Sequence, residues 1–136
     1  KAIMHDWWIT LISSAFGIID YIQEPTILYR QHTHQDIGIA RYSIKNIYSK
    51  FIKNPKNAIS SFYKTIEQAK DFLKIYKDVL SQQQIDILTS YINLSYSKPK
   101  DGFKNIVKYK FFKQDLLINI GFIITVLINN YKKQNT

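Results

Sequence analysis

The chain has 136 residues, enough for one domain with a real core and too few for two comfortable ones. It contains no cysteine, which excludes disulfides, thiolate zinc sites and cysteine nucleophiles. The formal net charge is +9, and a basic surface of this kind attracts phosphate, whether on nucleic acid, anionic lipid or a nucleotide-sugar.

The sequence opens on an apolar-aromatic run, Ile3-Met4-His5-Asp6-Trp7-Trp8. Chain starts are usually polar and frayed, so this one is expected to follow a cut inside a longer protein. A helix beginning at His5 or Asp6 would carry Trp7, Trp8, Leu11, Ile12 and Ala15 at spacings of three and four, the mark of one buried face. Gly17 would end it as a C′ glycine. Ile18 to Ile22 is short, apolar and β-branched, and predicts a strand. Glu24-Pro25 reads as a turn, because the residue before proline is pushed away from helix. Ile27-Leu28-Tyr29 predicts a second short strand, and 30–39 a polar loop.

The remainder predicts helices. Ile44, Ile47, Tyr48, Phe51 and Ile52 form one apolar stripe, broken at Asn54-Pro55. Ile59, Phe62, Tyr63, Ile66, Ala69, Leu73, Tyr76 and Leu80 form a longer one. Ser81 suits an N-cap for a helix bearing Ile85, Leu88, Tyr91 and Ile92. Lys98 to Gly102 reads as a turn, and Phe103, Ile106, Val107 and Tyr109 to Phe112 open the next helix. Leu116 to Ile128 is almost continuously apolar over thirteen residues. The expected class is mainly α, with a short N-terminal β element.

Two places hold residues that do not suit a plain core. The first is His5-Asp6-Trp7-Trp8. A carboxylate at a helix start meets unpaired N–H groups and the positive end of the dipole and can accept a proton. Adjacent tryptophans on a helix point about 100° apart, so one can line a pocket, where its face would suit a sugar ring. An N-cap Asp followed by two packing tryptophans fits the same residues. The second is Tyr29-Arg30-Gln31-His32, with His34 nearby. The planar guanidinium fork of Arg30 suits phosphate, and a neutral His32 can bind a divalent metal. A polar surface loop with incidental histidines fits equally.

The two segments together are more specific. His5-Asp6-Trp7-Trp8, followed about twenty residues later by Glu24-Pro25-Thr26-Ile27-Leu28-Tyr29-Arg30-Gln31-His32, resembles the C-terminal part of family 2 glycosyltransferases of the GT-A type. The likeness is to the bacterial rhamnosyltransferase-like branch that builds surface polysaccharides. It covers residues 1–39 well and 100–128 loosely, the latter through Phe103 to Lys113 and Asn119. The resemblance implies that 1–39 closes a catalytic domain, detached from an upstream α/β nucleotide-binding half, and that 40–136 is a helical extension.

It further implies Asp6 as the general base, Trp7 and Trp8 on the acceptor side, Arg30 and Gln31 near the donor diphosphate, and His32 as a ligand to Mg or Mn. The reaction would invert the anomeric centre, moving rhamnose or a similar hexose from a nucleotide-sugar to a polysaccharide or lipid-linked acceptor. The chain departs from the family pattern after His32, where Thr33-His34-Gln35-Asp36 stands in place of a Gly and Asn. His5 and His34 inherit no role. No Asp-x-Asp occurs in the sequence, so most metal ligands would come from the upstream half.

Residues 98–136 hold eight lysines against Asp101 and Asp115, a net of +6. The apolar stretch beside them is shorter than the roughly 20 residues that cross a bilayer. Basic flanks around an apolar helix suit an anionic membrane surface, by peripheral contact through 103–133 at the inner face of the cell membrane. Burial against the rest of the enzyme, or against a second copy of the chain, would cover it as well. A non-catalytic helical module docking on membrane or an assembly partner is the alternative reading. Nucleic acid is not an expected partner, because arginine occurs only at positions 30 and 41, the lysines are spread over several helices and no recognised binding module is present.

Overall fold

The computed structural model describes residues 4–26, 56–113 and 115–134, with side chains as far as Ile128. Within them lie five helices: α1 (His5–Phe16), α2 (Lys56–Tyr76), α3 (Gln82–Asn93), α4 (Pro99–Lys108) and α5 (Leu116–Gln134).

The longest helix, α2, is the spine. Ala58, Phe62, Ile66, Ala69 and Phe72 recur at three and four along it and are all buried. Onto that stripe fold the ends of the other helices. Phe62 and Ile66 meet Leu94, Ile106 and Val126 in one core, with Tyr91, Ile92, Phe111, Phe122 and Ile123 packed around it. Four helices thus share one apolar centre, and burial of that surface is the main driving force for their association.

The helix ends are set by local chemistry. Chain direction changes after Tyr76, two residues before Asp78, and Leu80 returns to the interior with its N–H on the Tyr76 carbonyl at 3.0 Å. Ser81 then caps α3 reciprocally with Gln84: the Gln84 N–H donates to Ser81 Oγ at 3.3 Å, and the Ser81 N–H donates to Gln84 Oε1 at 2.8 Å. Such a capping box satisfies two donors that a helix start would otherwise leave orphaned.

Lys98 to Gly102 is not a free turn but the cap and first turn of α4. Pro99 occupies the first turn, where its fixed φ is ready for helix and its missing N–H costs nothing. The helix ends at Lys108 rather than running on toward the tail. Lys110 adopts φ 54°, the left-handed region that a side chain enters at a cost of about 1–2 kcal/mol. Two bonds hold it there: Phe111 N–H to the Ile106 carbonyl at 3.0 Å and Lys110 N–H to the Val107 carbonyl at 3.3 Å. This is the Schellman pattern, and its accompanying apolar contact is made by Phe111 and Ile106 in the core.

Asp115 starts α5 by accepting the N–H groups of Leu117 at 2.7 Å and Ile118 at 3.2 Å. Asn119 closes the α4–α5 connection, accepting from the Lys113 N–H at 2.6 Å and donating to its carbonyl at 2.8 Å. Gly121, Thr125 and Val126 of α5 are buried, whereas Leu116 and Ile120 are exposed. No described helix is long and apolar enough to cross a membrane.

The N-terminal helix joins this group through aromatic contacts. Trp8 meets Phe72 edge-on with centroids 5.5 Å apart, and Phe16 lies 5.4 Å from Tyr76. Gln84 Nε2 donates to the Ala15 carbonyl at 2.7 Å. Gly17 does end the helix, with φ −129°, an extended conformation and not the left-handed one expected.

The expected strand at Ile18–Ile22 is not formed, and no strand occurs among the described residues. Ile18 is 96% exposed and Tyr21 81%, and no ladder of backbone bonds ties this stretch to a neighbour among the described residues. A β-branched run becomes a strand only when a partner takes up its backbone groups. The second expected strand, Ile27–Tyr29, the loop at 30–39 and the stripe from Ile44 to Ile52 lie outside the described residues.

Candidate functional site

The start of α1 brings its polar residues to the surface. Met4 stands at the N-cap position and offers no side-chain bond, so Asp6 lies inside the first turn and is not the cap. Its Oδ1 accepts the Trp7 N–H at 2.9 Å. His5 and Asp6 are both exposed.

The two tryptophans divide as their angular separation predicts. Trp8 turns inward and packs on Phe72 and Tyr76, which makes it a structural residue in this geometry. Trp7 remains 46% exposed and forms one wall of a groove of about 560 Å³ between α1, α2 and α3. Thr10 and Leu11 of α1, Ile87 and Leu88 of α3, and Phe111 also line it. Apolar surface dominates the lining, and no charged side chain contributes to it. Asp6 lies beside Trp7 in sequence but is not part of the lining.

Besides Thr10, three polar residues line the groove, Thr65, Tyr91 and Gln68. Thr65 Oγ1 donates to the Phe62 carbonyl at 2.7 Å. Its single proton is thereby spent, so in the 2.8 Å contact between Thr65 Oγ1 and the Tyr91 hydroxyl the donor is Tyr91. Burial pushes the Tyr91 phenol above its usual range. Gln68 is the third group. It lines the groove, and the residue is only 4% exposed.

A second hollow of about 420 Å³ shares Thr65 and Tyr91 with the first. Its lining is more polar, with Asn57, Ser61, Lys113 and Thr125 beside Phe122 and Ile118. Lys113 Nζ stands 5.8 Å from the Phe122 ring centre, within cation–π range.

Of the residues singled out from sequence, Asp6, Trp7 and Trp8 fall on one helical turn, and only Asp6 and Trp7 face outward. Arg30, Gln31, His32 and His34 lie outside the described residues. Among the described residues no three His, Asp or Glu side chains gather in a group that could hold a metal. Sequence reasoning missed the groove and Gln68. The signal was present: Gln68 stands four residues before Phe72 on the buried side of α2, a polar side chain among positions that otherwise read as core.

No known protein family, curated protein or solved structure matches this chain.

Proposed function

We propose that this chain is the C-terminal part of an inverting, metal-dependent glycosyltransferase, with Asp6 as the base that takes the proton from the acceptor hydroxyl. The carrying observation is that the Asp6 carboxylate is exposed on the first turn of α1, beside the outward-facing ring of Trp7. A general base must come within hydrogen-bond reach of the proton it removes, and Asp6 has no side-chain partner of its own among the described residues, only the Trp7 N–H. The paired motifs at 5–8 and 24–32 supply the family likeness, as set out from sequence.

In this reading the donor is a nucleotide-sugar carrying rhamnose or a similar hexose, and the acceptor is a polysaccharide or lipid-linked saccharide at the inner face of the bacterial membrane. Arg30 and Gln31 lie near the diphosphate. His32 contributes one ligand to a divalent ion, Mg or Mn, whose other ligands an upstream nucleotide-binding half supplies. The ion and Arg30 would offset the charge that grows on the leaving diphosphate. Trp7 shapes the acceptor side, while Trp8 supports it from the interior.

In the full-length parent enzyme, Asp6→Asn and His32→Ala should each lower turnover by about a hundredfold or more with an unchanged thermal melt. Near-normal turnover in both variants would remove the assignment.

A second reading has its own observation. On α4, Phe103 and Val107 are 48% and 50% exposed and lie one turn apart, with Lys100, Lys104 and Lys108 also exposed. An apolar ridge edged with lysines suits an anionic bilayer surface. Gly121, Thr125 and Val126 are buried, so within 103–133 these three positions would lie away from the bilayer. Sedimentation with phosphatidylserine vesicles should be lost in the double variant Phe103→Ser, Val107→Ser, and retention by that variant would end this reading.

A further inference from the structure

Gln68 is the feature of the groove that neither packing nor glycosyl transfer explains. It sits on the face of α2 that buries Phe62, Ile66, Ala69 and Phe72. The residue is 4% exposed and lines the groove. An occupant that excludes water from the groove must offer this amide a partner, because a polar group desolvated without one is costly. A carboxamide donates and accepts, so a hydroxyl, an ester carbonyl or an amide can each satisfy it.

The rest of the groove states what else such a ligand must be. Its wall is built from Trp7, Leu11, Ala69, Ile87, Leu88 and Phe111, which calls for an apolar body. The other polar side chains lining it are already engaged, Thr65 Oγ1 with the Tyr91 hydroxyl at 2.8 Å and Thr10 Oγ1 with the Asp6 carbonyl at 2.8 Å. No charged side chain lines it, so a carboxylate or phosphate placed at Gln68 would be buried without a counter-ion, which is strongly unfavourable. The volume of about 560 Å³ lies within the range of roughly 300–1,000 Å³ usual for small-molecule sites.

We propose that the groove between α1, α2 and α3 binds a neutral, single-chain amphiphile, such as a fatty alcohol or a monoacyl ester or amide. Its tail lies along Trp7, Leu11 and Leu88, and its uncharged polar head meets the Gln68 amide. The site makes no use of Asp6 or His32, so it stands or falls separately from the transferase reading.

The test titrates the 136-residue chain with 1-decanol and with decanoate, following tryptophan emission and binding heat together. Decanol should give a saturable blue shift, and decanoate should bind at least about tenfold more weakly. Trp7→Phe should abolish the shift, because Trp8 faces away from the groove. Gln68→Leu, and Gln68→Met should the first fail to give a helical spectrum, should weaken decanol about fivefold or more. Absence of saturable decanol binding, decanoate binding as tightly as decanol, or a shift surviving in Trp7→Phe would each overturn the proposal. Undiminished decanol affinity in a folded Gln68 variant would do the same.

Discussion

The helices α2 to α5 and the segment from His5 to Thr26 handle apolar side chains in opposite ways. In the first, Phe62, Ile66, Leu94, Ile106 and Val126 are all at or below 5% exposure and share one core. In the second no residue of α1 is fully buried, and Ile9, Phe16, Ile18, Ile19, Tyr21 and Ile22 are all exposed. Yet the two regions have similarly apolar sequences. Periodicity explains the difference. The α2 stripe repeats at three and four, so one face collects every apolar residue. From Ile18 to Ile22 there is no helical repeat, and a run that is apolar on both sides cannot be covered by one neighbouring helix. Asp6 and Trp7 lie in this less buried region.

That contrast can be broken by truncation. Phe72→Ala, in the buried stripe, should cost about 3–5 kcal/mol of unfolding free energy, while Ile18→Ala should change it by no more than about 0.5 kcal/mol. Urea unfolding of both variants checks this, and equal effects would mean that Ile18 is buried in solution.

A finer version separates the two tryptophans. Trp8→Ala removes contacts with Phe72 and Tyr76 and should destabilise by about 2–4 kcal/mol. Trp7→Ala removes a half-exposed groove wall and should cost about 1 kcal/mol or less.

The smallest effect is a pH dependence carried by Tyr91. Its phenol titrates higher in the folded chain than in the unfolded one, chiefly through burial. The folded state therefore favours the neutral form. The associated stability is complete below the unfolded value near 10 and is lost as pH rises from there through the folded value. Tyr91→Phe should flatten that decline in alkaline urea titrations relative to the parent chain.

Much of the helical part was legible because its signals are local. Ser81 and Gln84 define a capping box within four residues. The positions of Phe62, Ile66 and Ala69 declare the inward face of α2 without reference to anything else. Where signals competed, the sequence misled. Lys98-Pro99-Lys100-Asp101-Gly102 has the composition of a turn, yet proline at the first helical position favours helix, and the buried Gly102 continues it. Lys110 has no intrinsic preference for a left-handed backbone; the Phe111 and Ile106 contact imposes it.

The candidate site was legible only in part. The angular rule says that Trp7 and Trp8 diverge, but which one turns inward depends on Phe72 and Tyr76, over sixty residues away in the chain. Asn119, noted for its family likeness, serves as a clamp on Lys113. Gln68 could be recognised only once α1 and α3 were seen to enclose it.

The hydroxyl pair of Thr65 and Tyr91 has a consequence for both hollows. Both residues line each of the two hollows. Were an occupant of one hollow to displace the Tyr91 ring, the affinity of the other would change with it, and by reciprocity that coupling would act equally in both directions.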